Sequence, residues 1–193
     1  MDSTRARLVI AASDLLDAGG QAAVTLRAVA EAVGVSHNAP YRHFRDRSAL
    51  LAGVAERDFG AMRTAFQDAS TRSADPAAAL RHAAGTVIAY ARSHPARYRL
   101  LFSDPDLVRA GGAMEGAALG AFEAFDALVR RCQDAGRLRC VEGARLTGLL
   151  YAALHGAIDL ELGGRAREAK GLPGVEATLD LLLDLAAGAG DRR

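Results

Sequence analysis

Apolar residues recur every three to four positions along almost the whole chain, and no stretch alternates apolar and polar residues between turn signals. That pattern predicts an all-α fold. Leu8, Ala11, Ala12, Leu15 and Leu16 share one face of a first helix, which Gly19-Gly20 ends. A short second helix starts from the cap residue Thr25, turns Leu26, Val29, Ala30 and Val33 inward, and stops at Gly34. Ser36 caps a third short helix through Phe44, with Pro40 tolerated near its first turn, where backbone donors have few intrahelical partners. A long fourth helix restarts at Asp46 and carries Leu50, Leu51, Val54, Met62 and Phe66 at helical spacing as far as Ala69. Asp75-Pro76 opens a fifth helix reaching Ser93, and "PARYRLLF" forms a short sixth. Beyond a loop from Ser103 to Gly112, a seventh runs from Ala113 to Ala135, an eighth from Glu142 to Leu162 and a ninth from Pro173 to Ala187. The tail from Gly188 to Arg193 reads as frayed.

Isolated helices below about 12 to 15 residues are marginal in water, so the first three must pack on one another as a small head. The long fourth helix then connects that head to a larger helical bundle, with a soft boundary somewhere in residues 50–70. With 193 residues, half of them hydrophobic, the chain has enough apolar material for a sizeable core. No run of apolar residues is long enough to span a membrane, and the start "MDSTRARLVIAASDLL" does not read as a signal peptide, so the sequence predicts a soluble, cytoplasmic protein. Cys132 and Cys140 are the only cysteines, have no histidine at metal spacing, and are expected to be reduced.

A net charge of +1 excludes nonspecific polyanion binding by the molecule as a whole; any contact with nucleic acid must be local and geometric. The place for such a contact is Val33 to Phe44, "VGVSHNAPYRHF". Two short helices joined at a glycine form the helix-turn-helix arrangement, in which the first braces the second for the major groove. Gly34 supplies the bend, Ala39 and Phe44 can face the head's core, and Ser36, His37, Asn38, Tyr41, Arg42 and His43 remain to face outward. Asn pairs with the edge of adenine, Arg with guanine or phosphate, and Ser, Tyr and His with phosphates or bases. The starts of the second and fourth helices, near Thr25 and Arg47, add partial positive charge that favours phosphate.

The segment "TLRAVAEAVGVSHNAPYRHFRDRSALL" closely resembles the DNA-binding region of the TetR/AcrR family of bacterial repressors. The resemblance implies a helix-turn-helix domain over residues 4–62 and an effector-binding and dimerisation domain over residues 63–190. It implies DNA contacts from Thr25, Arg27, Ser36, His37, Asn38, Ala39, Tyr41, Arg42, His43 and Arg47, the last standing where the family usually has lysine. It further implies a homodimer that reads the half-sites of a palindromic operator and is released by a small molecule, with no cofactor. A second likeness, at "LLYAALHGAIDLELGG" and "YRLLFSDPDL", is to a branch of the family with a Trp-plus-His-Gly signature; His155-Gly156 match it and Tyr151 stands where that branch has tryptophan.

Other readings stand beside these. Tyr41 and Phe44 also suit core aromatics of a three-helix head, and Tyr41 takes a phosphate-contact role only through the resemblance. The candidate ligand-site residues Met62, Phe66, Tyr98, Phe102, Phe122, Phe125, Tyr151 and His155 also suit plain core positions. The eighth and ninth helices are apolar over so wide an arc that each needs a second buried face. Leu146, Leu150, Leu154, Ala157 and Ile158, with Leu179, Leu182 and Leu183, are therefore expected to pair with their symmetry mates. An alternative from another class is a helical-bundle metal protein or enzyme using His94, His155, Asp159 and Glu161, in which His155 and Asp159 share a helical face. The chain has no Glu-x-x-His pair, nucleophile elbow, phosphate-binding loop or Cys-x-x-Cys, which weighs against catalysis.

Overall fold

The computed structural model describes residues 3–142 and 144–187; the tail expected to fray, 188–193, lies outside them. The described residues form nine α-helices and no strand. In chain order these are α1 (Ser3–Ala23), α2 (Leu26–Val33), α3 (Arg47–Arg72), α4 (Pro76–Ser93), α5 (Pro95–Ser103), α6 (Pro105–Ala110), α7 (Gly112–Asp134), α8 (Arg145–Leu162) and α9 (Val175–Ala187). Single 3-10 turns occur at Pro40–Arg42 and Glu168–Lys170. The chain divides into two compact units, Met1–Ala61 with Ser93–Gly120, and Met62–Arg92 with Ala121–Arg193.

In the first unit Leu8, Ala12 and Leu16 of α1, Val29 of α2, and Leu50 and Val54 of α3 are fully buried at the spacing expected of amphipathic helices. Burying each of the larger side chains contributes about 1.5–3 kcal/mol. Gly20 breaks α1 as predicted, at φ 68° and ψ −169°, although a further helical turn follows it. The second unit buries Leu80, Ala83 and Val87 of α4, Leu128 and Val129 of α7, Leu150 and Ile158 of α8, and Leu179 of α9. Cys132 is buried and Cys140 exposed, and both are free thiols. Burial pushes the Cys132 thiol up to about 11.

Two elements depart from the expected pattern. The third helix is a turn with one 3-10 segment, because Pro40 lacks a backbone donor and its ring excludes the carbonyl four residues back, while Ser36, His37 and Asn38 are weak helix formers. The loop expected from Ser103 to Gly112 contains α6, whose start is capped by Asp104 accepting from the amides of Asp106 and Leu107 and has Pro105 in its first turn. Among the described residues no helix is long and apolar enough to cross a membrane.

Candidate nucleic-acid interface

The outward face of the head is built by short-range devices. Thr25 Oγ1 accepts from the Ala28 amide at 3.0 Å, satisfying a donor at the start of α2. At its other end Gly34 takes the left-handed conformation, φ 73°, while its amide donates to Glu31 O and the Val35 amide donates to Ala30 O. This double closure turns the chain sharply out of α2 at a position that side chains rarely tolerate. The amides of Ala39, Arg42 and His43 then donate three residues back, to Ser36, Ala39 and Pro40, which winds the recognition turn. Pro40 and Phe44 are buried beneath it. Phe44 thus takes the core role, and Arg5 stacks over its ring with Cζ 5.5 Å from the centroid.

What this leaves outside is polar. Thr25, Arg27, Ser36, His37, Asn38, Tyr41 and Arg42 are exposed, and Ala39 and His43 are half-buried. Tyr41 is 61% exposed, which removes the core-aromatic reading for it.

Arg47 departs from expectation. Its Nε donates to Val24 O at 2.7 Å and its Nη2 to Gln21 O, which also accepts from the Val24 amide, so the guanidinium is aimed at carbonyls at the end of α1 and just beyond it. Arg7 makes a similar clamp, donating to Val33 O at 2.8 Å at the end of α2. The phosphate site expected at the start of α3 already holds a carboxylate, since Asp46 Oδ1 accepts from the Ala49 amide at 2.8 Å and Asp46 pairs with Arg45. Neither clamp was signalled in the sequence beyond the presence of arginine, because donor and carbonyl lie 23 to 26 residues apart.

The candidate ligand residues fall into separate groups. In the first unit Tyr98 packs against Phe102 with centroids 4.9 Å apart, and Phe102 meets Phe59 edge-on at 5.6 Å. In the second, buried Met62 lies on the same helix as Phe66, which packs on Phe125 at 5.7 Å. Phe122, Tyr151 and His155 form a further stack there, at 5.7 Å and 4.2 Å. Burial pushes the Tyr151 hydroxyl up and holds the His155 imidazole down to about 4, keeping the ring uncharged at neutral pH.

Of the residues assigned to a dimer contact, Leu146, Leu150, Leu154, Ile158, Leu179 and Leu183 are buried inside the chain itself, and Ala157 and Leu182 are half-buried. The large apolar side chains exposed on the same helices are Leu149, at 54%, and Tyr151, at 38%, on α8, with Leu181 and Leu185 at 58% and 63% on α9. Helical periodicity marks both faces of α8 and α9 as apolar and does not say which one the chain covers itself. Three residues of the metal alternative are engaged by other partners. His94 pairs with Asp17, Asp159 with Arg165, and Glu161 with Arg92. Among the described residues no three His, Cys, Asp or Glu side chains are grouped so that they could hold a metal ion.

A glycine-closed bend between two short elements, with the second presenting Tyr41, Arg42 and neighbouring polar groups outward, defines a helix-turn-helix DNA-binding protein. Residues 8–54 match the family of bacterial regulatory proteins of the tetR type. Residues 80–186, more than half of the chain, match a tetracyclin repressor-like C-terminal domain. The chain belongs to the TetR family of transcription regulators. Its fold is similar to that of a protein of unknown function from Rhodococcus sp. RHA1, at 27% identity and TM-score 0.78 over 97% of this chain and 95% of that one. The fatty acid degradation regulator FadR from Bacillus halodurans is similar at 14% identity and TM-score 0.70, over 100% and 99% of the two chains. RolR in complex with resorcinol is similar at 19% identity and TM-score 0.68, over 96% and 88%. No curated protein matches the chain by sequence.

Proposed function

We propose that the chain is a homodimeric repressor that binds a palindromic operator and is released by a small-molecule effector. The observation that carries the reading is the recognition turn, which buries Pro40 and Phe44 and directs Tyr41 and Arg42 into solvent beside Ser36, His37 and Asn38. Thr25 and Arg27 at the start of α2 supply backbone contacts from the neighbouring element. Two such heads on a dimer must lie about 34 to 36 Å apart, or a multiple of that, to meet successive major grooves on one face of the duplex. The effector reading draws on the family and on RolR, whose complex holds resorcinol. In this chain the Phe122–Tyr151–His155 stack offers an aromatic wall with an uncharged imidazole, which suits an aromatic or other weakly polar effector. By linkage the effector weakens DNA binding by the same factor by which DNA weakens effector binding. The reading includes no catalysed reaction.

The test is selection from randomised duplexes with purified protein, followed by sequencing of the bound fraction. A recovered palindrome whose binding is lost on Tyr41→Ala or Arg42→Ala, with folding intact, supports the reading. Absence of any enriched sequence at low salt sinks it.

A further inference from the structure

The first unit buries charge where no DNA contact is assigned. Arg97 on α5 is 9% exposed and Asp58 on α3 is 4% exposed. One edge of the Arg97 guanidinium meets Asp17 on α1, with Nε 3.1 Å from Oδ1 and Nη2 3.0 Å from Oδ2. The remaining Nη1 donates to Asp58 Oδ2 at 3.1 Å. His94, the residue before α5, brings Nδ1 to 2.8 Å from the same Asp17 carboxylate and so carries its proton on that nitrogen. One side chain from α5 thereby joins α1 to α3.

A cluster of this kind is a poor device for stability. Taking each charge out of water costs several kcal/mol, and apolar side chains of similar volume often serve as well or better. What a guanidinium adds is direction: its planar fork holds two carboxylates at set angles, which an apolar contact does not. Arg47 already fixes the start of α3 to the carbonyls of Gln21 and Val24. Asp58 lies 11 residues further along, a separation of roughly 16 Å at the helical rise. Two attachments that far apart set the angle of α3 to α1. Helix α1 in turn packs on α2, and α2 on the recognition turn.

We propose that Arg97 is a positioning residue for DNA recognition, orienting the recognition turn through Asp17 and Asp58. The inference rests on the DNA-binding reading above. The test compares the wild-type chain with the neutral triple variant Arg97→Met, Asp17→Asn, Asp58→Leu, apolar at the two buried positions, and with Arg97→Lys, using duplexes selected by the wild type. Thermal melting, affinity and the slope of affinity against salt are measured for each. The triple variant is expected to melt as high as the wild type and to bind at least tenfold more weakly, with the salt slope unchanged because no phosphate contact has been removed. Arg97→Lys, which keeps the charge but loses the fork, is expected to bind at least threefold more weakly. A stable triple variant with wild-type affinity would mean a purely structural ion pair and overturns the inference. Should the triple variant fail to fold, wild-type affinity in Arg97→Lys overturns it instead. A wild-type chain that selects no duplex overturns this inference and the DNA-binding reading together.

Discussion

Arg42 and Arg47, five residues apart, have opposite surroundings. Arg42 is exposed on the recognition turn, whereas Arg47 spends its guanidinium on the carbonyls of Gln21 and Val24. Arg42→Ala is expected to reduce the affinity for selected DNA about tenfold and to lower the salt slope by about 1, with no change in melting, since exposed substitutions shift stability little. Arg47→Met is expected to do the reverse, costing about 1.5–3 kcal/mol of stability through two lost charged hydrogen bonds. Thermal melting and titration at several salt concentrations separate the two outcomes. His155 supplies a pH test. Burial holds it down to about 4 against an ordinary 6.5, so between those values the unfolded chain binds a proton that the folded chain does not. Its contribution to stability is complete above about pH 6.5 and is lost as pH falls toward 4. His155→Gln is expected to flatten the melting curve across that window, read by circular dichroism.

At the level of elements, the bend after α2 depends on Gly34. An alanine there must adopt the left-handed conformation, so Gly34→Ala is expected to cost roughly 1–2 kcal/mol. Chemical denaturation would show it as a lower midpoint with an unchanged slope. In the second unit the ends of α4, α8 and α9 meet at Arg92, which pairs with Glu161 at 2.7 Å and with Glu176 at 2.5 Å. Hydrogen bonds from Arg92 hold both carboxyls below the usual carboxylate range and hold the guanidinium up. With Arg92 itself 45% exposed, solvent screening keeps the contribution small. The cap, bend and helix periods of the head were readable in the sequence because their partners are three to five residues apart. The 3-10 recognition turn was not, because one proline near a helix start is compatible with either form.

At the level of the whole molecule, the proposed dimer is the part of the reading most open to test. Leu181 and Leu185 lie one turn apart on α9 and are exposed, as are Leu149, Ala152 and Gly156 along α8. The double variant Leu181→Glu, Leu185→Glu places two carboxylates on that face while leaving buried Leu179 and Leu183 untouched. Analytical ultracentrifugation is expected to show a dimer for the wild type and a monomer for the variant, with binding to a palindrome lost and weak nonspecific DNA binding retained. A wild-type monomer at micromolar concentration would refute the dimer.

By itself the sequence determined the all-helical class, most helix limits and the helix-turn-helix segment, in which Ser36, His37, Asn38, Tyr41 and Arg42 face out and His43 is half-buried. These follow from period, caps and glycine placement, which act over one or two turns of chain. The tertiary structure alone decided which apolar face of α8 and α9 the chain covers itself, and therefore that Leu150 and Leu183 are core while Leu149 and Leu185 face out. It alone turned Arg47 inward and joined Asp17, Asp58 and Arg97 across separations of 39 to 80 residues. Periodicity records that a face must be buried, and charge that a partner is needed. Which partner is settled only when distant segments are brought within a few ångströms of each other.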